Sequence, residues 1–191
     1  RLVMGSMHTG LEDKFLKLTD LAKFYEERAK GGVGLIITGG FAPNWRGWLL
    51  PFASTLNSFL QVAKHREVTD AVHKHGAKIA LQILHAGRYA YHPFSVAPSA
   101  IKAPINPFKP KAMSDRVVQK TIRDFASAAK LAQRAGYDGV EIMGSEGYLI
   151  NEFLSEKTNK RKDRWGGSLE NRMRFPIEII RAVREAVGSE F

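Results

Sequence analysis

The sequence predicts an α/β protein in which parallel strands alternate with helices, and three observations predict it. One phrase, an amphipathic helix followed by a glycine and a short apolar run, occurs three times within 191 residues. The connections after the apolar runs are long and those after the helices are short, which is the pattern of a barrel with its site on the carboxyl-end face. The first connection, "GSMHTGLED", lacks the GxGxxG that the first turn of a doubly wound sheet normally carries. The expected architecture is therefore the N-terminal half of a TIM (β/α)8 barrel.

The opening "RLVMGSM" (1–7) reads as a strand. In "LAKFYEERAKGGVGLIITGG" (21–40), Leu21, Phe24 and Tyr25 mark one helical face, Gly31-Gly32 stop it, and Val33 to Ile37 form a strand. In "LQVAKHREVTDAVHKHGAKIALQIL" (60–84), the helix ends before Gly76 and the strand covers Ile79 to Leu84. In "TIRDFASAAKLAQRAGYDGVEIM" (121–143), Gly136 separates the helix from a strand over Val140 to Met143. A fourth helix follows with Ser168 as N-cap and Phe175, Ile179, Ile180, Val183 and Val187 on 3–4 spacing; Pro176 is expected to kink or restart it. The long connections are 8–18, 39–57, 85–116 and 144–167. After Gly188 the pattern calls for a fifth strand, so 1–191 reads as the first four βα units of an incomplete barrel in a larger protein. Four strands alone would leave apolar surface open.

Hydrophobic residues make up 44% and charged residues 25%, which excludes wholesale disorder. No apolar run reaches the length of a membrane helix, so no membrane partner is expected. The absence of Cys rules out disulfides, thiolate metal ligands and a cysteine nucleophile in this chain, and fits a cytoplasmic protein. The net charge of +10 is spread over every helix and loop, densest in "KTNKRKDRWGG" (157–167). Without a zinc finger or an RNA-binding aromatic signature it reads as solvated helix faces or as attraction for an anionic small molecule, not nucleic acid.

The strand ends gather Ser6, Met7, His8 and Thr9, then Thr38, Gly39 and Gly40, then Gln82, His85, Gly87 and Arg88, and last Glu146 and Tyr148. No acidic cluster suits Mg²⁺, and His8, His65 and His85 come from different elements without metal-ligand spacing, so no metal is expected. Ser145 in "MGSEG" lacks the first glycine of a nucleophile elbow. Gln82 interrupts the apolar "IALQIL"; it either bonds neighbouring backbone or offers a donor and an acceptor to a flavin's pyrimidine edge. Tyr148, on the glycine elbow "GSEGY", is either a packing tyrosine or a general acid that keeps its proton at neutral pH.

These residues carry a resemblance. "RLVMGSMHTG", "ALQILHAGR" and "AGYDGVEIMGSEGYLINEFLSEKTNKRKDRWGGSLENRMRF" resemble the Old Yellow Enzyme family of flavin barrels, within it the bacterial NADPH-dependent 2,4-dienoyl-CoA reductases of unsaturated fatty-acid β-oxidation. The resemblance runs from 1 to 191 and is most specific over 135–175. It implies an FMN-binding (β/α)8 barrel, with Ser6, Met7 and His8 lining the flavin ring, Gly39 letting the backbone approach it and Gln82 bonding its pyrimidine side. Tyr148 matches the family's proton donor. Glu146 orients the substrate or tunes Tyr148, with a purely structural role as the alternative. Simple enone reductases of the family usually carry a His and an Asn or second His on this elbow, where Met143 and Glu146 stand here. The resemblance further implies a 2,4-dienoyl-CoA substrate, and FAD, a 4Fe–4S cluster and NADPH in parts of the full-length protein outside this sequence. The open alternatives are a related ene or enoate reductase or amine dehydrogenase of the same family, a basic nucleic-acid-binding module, and a non-catalytic scaffold.

Overall fold

In the computed structural model, residues 2–13 and 18–191 are described. The elements run β1 (Leu2–Met4), α1 (Thr19–Lys30), β2 (Val33–Phe41), α2 (Val62–His73), β3 (Lys78–Ile83), β4 (Val96–Ala97), β5 (Lys111–Ala112), α3 (Asp115–Arg134), β6 (Gly139–Ile142), α4 (Leu149–Leu154) and α5 (Leu169–Val187). The main sheet has the order β1-β2-β3-β6, every pair parallel. Strands therefore add in chain order, without the reversal that defines a doubly wound sheet. α1, α2 and α3 follow the same order and pack on one another and on the sheet, as in successive βα units of a barrel wall.

The helices stop where the glycines stand. Gly32, Gly76 and Gly136 all take positive φ (90°, 71° and 89°), a conformation that costs other residues about 1 kcal/mol or more. Ser114 and Ser168 cap α3 and α5 by accepting from Val117 N–H and Asn171 N–H. Between sheet and helices lie Ile36, Ile79, Leu81 and Ile83, with Tyr25, Val68, Val72 and Phe125 from the helices, all fully buried. Each such side chain contributes about 1.5–3 kcal/mol.

Several details differ from the sequence expectation. β1 ends at Met4, so Ser6 and Met7 belong to the following loop. The 8–18 connection is described only in part, 14–17 lying outside the described residues. β2 continues to Phe41 through a register shift between Ile37 and Gly40. The 85–116 connection contains the small parallel pair β4–β5, and 144–167 contains α4. α5 runs unbroken through Pro176. Phe175 and Ile179, fully buried beside that proline, outweigh its local cost of about 3 kcal/mol, and Phe153 of α4 stacks on Phe175 at 4.1 Å between centroids. Apolar side chains stay exposed on β1 (Leu2, Val3) and along α5 (Leu169, Met173, Ile180). No helix among the described residues is long and apolar enough to cross a membrane.

Candidate active site

A cavity of about 360 Å³ opens at the carboxyl ends of the four main strands. Of the residues singled out in the sequence, Ser6, His8, Gln82, Glu146 and Tyr148 line it together with Met143. Met7 and Gly39 do not. Met7 is half exposed, and Gly39 faces the other way: a Cβ there would lie 2.6 Å from the Glu12 carboxylate, and its N–H donates to the buried Tyr25 hydroxyl at 3.1 Å. The neighbouring Gly40 lines the cavity instead.

Gln82 is 4% exposed. Its N–H donates to Thr38 Oγ1 (3.0 Å), and its side-chain Nε2 donates to Glu141 Oε1 (2.7 Å). The bond to a carboxylate fixes which end of the amide is which, and Gln82 Oε1 is left beside Gly40 as an acceptor. Glu141 is a carboxylate in an apolar run that the sequence analysis does not single out. Its signal was register, because β3–β6 pairing sets Gln82 and Glu141 side by side.

His8 Nε2 lies 2.8 Å from Asp13 Oδ2, and Asp13 Oδ1 accepts from Ser54 N–H at 2.9 Å. The first connection is thereby tied to the second. The Asp13 carboxylate lifts the pKa of His8 above the ordinary histidine value against the opposing cost of burial.

The elbow that carries Tyr148 is held under tension. Glu146 is in left-handed conformation (φ 59°), which favours Gly or Asn, and Gly147 follows at φ 83°. A Cβ on Gly147 would meet the Tyr89 ring at 2.6 Å. Tyr89 packs edge-on against Tyr148 (6.1 Å, 79°), Gly147 N–H donates to Asn151 Oδ1, and Leu149 N–H donates to His85 O. Tyr148 is thus fixed at the start of α4 by the loop after β3. Burial raises its pKa above that of a free phenol, and the Glu146 carboxylate adds to the rise.

Behind the elbow lies Glu152, 1% exposed, a residue the sequence reading did not single out. Its Oε1 accepts from Arg88 N–H at 2.8 Å, while Oε2 has no partner. Burial pushes its pKa up to about 8 against the pull of Arg88. A carboxyl raised in the folded state gives stability that is complete below its unfolded pKa near 4.5 and lost as pH rises through about 8. Glu152→Gln, which keeps the neutral shape, is expected to abolish that loss. At pH 9 the variant should be the more stable by about 3–5 kcal/mol, measured as urea midpoints of the full-length protein at pH 6 and 9.

The chain can be placed among known proteins. The family model described as NADH:flavin oxidoreductase / NADH oxidase matches residues 1–191. A metal reductase of Desulforamulus reducens is 42% identical over 195 residues, covering the whole chain and 29% of that relative. Among solved structures, a morphinone reductase in complex with tetrahydroNAD superposes with TM-score 0.91 at 31% identity, over 98% of this chain and 57% of that one. A 2-naphthoyl-CoA reductase in complex with 2-naphthoyl-CoA superposes with TM-score 0.93 at 30% identity, over all of this chain and 32% of that one. The chain thus spans between about a quarter and somewhat over half of these relatives' length, and its four βα units are part of the flavin barrel of the Old Yellow Enzymes. With that fold and a model match over its whole length, the chain belongs to the NADH:flavin oxidoreductase / NADH oxidase family of FMN-dependent oxidoreductases.

Proposed function

We propose that the full-length protein reduces the conjugated double bonds of 2,4-dienoyl-CoA thioesters, with Tyr148 as proton donor. The observation that carries this reading is the cavity wall: Tyr148 stands on it with Met143 and Glu146, where simple enone reductases use imidazole and amide groups to grip a carbonyl oxygen. The similarity to a 2-naphthoyl-CoA reductase gives further support.

The residues present fit FMN by their donor set. Gln82 offers an acceptor oxygen on the cavity floor and an amide held rigid by Glu141, which suits a ring edge carrying an N–H and carbonyl groups. Ser6 and His8 would flank the ring from the first connection. Reduced FMN, when bound, supplies the hydride, which adds to the far end of the diene. Tyr148 gives its hydroxyl proton to the resulting dienolate carbon, so hydride and proton together saturate one double bond. Glu146 keeps the phenol protonated until that moment and orients the thioester. Tyr89 and the α4 start hold the phenol in place.

We extend the proposal to the rest of the protein. Exposed Leu2, Val3, Leu169, Met173 and Ile180 are the apolar surfaces on which further βα units would close the barrel. NADPH, FAD and a 4Fe–4S cluster would deliver electrons to FMN from outside this segment, and the length of the metal reductase relative leaves room for such modules.

The test is to reduce the full-length protein anaerobically and follow flavin absorbance on mixing with a 2,4-dienoyl-CoA or with cyclohexenone. Rapid reoxidation by the thioester and slow reoxidation by the enone are expected. The opposite preference would assign the protein to the small-enone reductases.

A further inference from the structure

A second cavity, of about 580 Å³, lies outside the one just described, between the connection after β2 and the face of α3. Arg116, Lys120 and Arg123 occur at i, i+4 and i+7 of α3 and so share one face. They line the groove with Trp45 and Arg46. Its carboxylate, Asp124, is already held by Lys120 Nζ at 2.7 Å and by Asn44 Nδ2 at 2.8 Å. Arg46, Arg116 and Arg123 have no ion-pair partner among the described residues. Three uncompensated guanidinium groups around one groove are a phosphate-binding arrangement.

The groove also has an aromatic wall. Trp45, 43% exposed, lines it, and Phe94 of an adjoining cavity supports the indole edge-to-face at 5.7 Å. The Arg46 guanidinium lies 5.2 Å from the Trp45 ring centre. An indole ring and a guanidinium plane together suit a stacked heteroaromatic base.

The turn Trp45–Gly47 separates this groove from the reaction cavity: Trp45 and Arg46 line one, Gly47 the other. Asn44 Oδ1 accepts from Arg46 N–H and Gly47 N–H while its Nδ2 donates to α3, so the wall is anchored. We propose that the groove binds the phosphorylated adenosine diphosphate end of a ligand whose other end enters the cavity. That chemistry is shared by coenzyme A, with a 3′-phosphate, and NADP(H), with a 2′-phosphate. The groove's affinity for this group stands on its own geometry; the link to the cavity rests on the flavin-dependent reading above.

The experiment is calorimetric titration of the FMN-loaded full-length protein with 3′-phosphoadenosine 5′-phosphate and, separately, its 2′-phosphate isomer. Binding of at least one isomer is expected, weakened by about tenfold or more in Arg116→Ala/Arg123→Ala and largely restored in Arg116→Lys/Arg123→Lys. Arg46→Ala, on the opposite wall, should weaken it too. Preference for the 3′ isomer assigns the groove to a CoA carrier, and preference for the 2′ isomer to NADP(H). Failure of both to bind, or binding equal in wild type and all variants, would overturn the proposal. If the nucleotides respond as expected but a dienoyl-CoA does not reoxidise the flavin, the groove stands and the substrate assignment falls.

Discussion

Tyr148→Phe is expected to lower kcat for dienoyl-CoA reduction by about 10²–10³-fold, the usual worth of a positioned general acid. KM should change little, because a phenylalanine ring keeps the edge-on contact with Tyr89 and loses only the hydroxyl. The pH dependence follows from the direction of the shift. Burial and the Glu146 carboxylate both raise the phenol's pKa, so the proton stays available through neutral pH and any alkaline limb from this group lies above pH 10. Glu146→Gln removes the carboxylate's share of that rise, leaving burial and Tyr89, and should move that limb down. Stopped-flow measurement of product formation over pH 6–10.5 checks both variants. A Tyr148→Phe enzyme at full rate would remove Tyr148 from the mechanism.

The second large effect is loss of stability in acid. His65 and His85 are each 2% exposed, and burial depresses both to about 3. Burial dominates at both, and at His85 the nearby His92 and Arg46 add to it against one backbone hydrogen bond that favours the charged form. His65 Nδ1 faces the Tyr137 hydroxyl at 2.9 Å and its ring packs on Phe41, while His85 Nδ1 accepts from Gly87 N–H and Nε2 has no partner. A base lowered in the folded state gives stability that is present above its unfolded pKa near 6.5 and lost as pH falls toward 3. Each histidine then contributes a slope of about 1.4 kcal/mol per pH unit, so at pH 4.5 the two together cost about 5 kcal/mol. Glu152 works against them, because its contribution rises by about 3 kcal/mol over the same window, leaving a net loss of about 3 kcal/mol. Urea midpoints of the full-length protein should therefore fall between pH 6.5 and 4.5, and more steeply in Glu152→Gln. His65→Gln, an uncharged replacement that can still bond Tyr137, should remove most of the net slope. A slope unchanged by that substitution would mean that other groups drive the acid transition.

The parts of this molecule that were legible in the sequence depend on short-range physics. Three glycine-stopped helices, two serine caps and the apolar strand cores announce themselves by period and by backbone conformation. Gln82 was legible because an amide in an apolar strand is chemically conspicuous. Which glycine faces the cavity was not legible. The register shift between Ile37 and Gly40 turns Gly39 toward Glu12 and Gly40 toward the cavity, and such a shift leaves no trace in composition. α4 was missed for a similar reason. Its six residues are too few to show a period, and its buried Glu152 looks from sequence like a surface residue. The wall formed by Gly47, Ala53 and Ser54 exists only because the connection after β2 folds back over the strand ends. Its anchors are the long-range contacts from Asn44 to Asp124 and from Asp13 to Ser54.

The elbow carries a lesson for how this protein can change over time. Gly147 is locked twice, by its positive φ and by the Tyr89 ring where a side chain would go. A side chain at 147 would meet both the left-handed backbone and the Tyr89 ring, while shrinking Tyr89 would free Tyr148 to tilt. Positions 89 and 147 are therefore expected to change together. Routes to a differently shaped elbow pass through paired changes at both, with a residue tolerant of left-handed backbone, such as Asn, arriving at 147 only after 89 has become small.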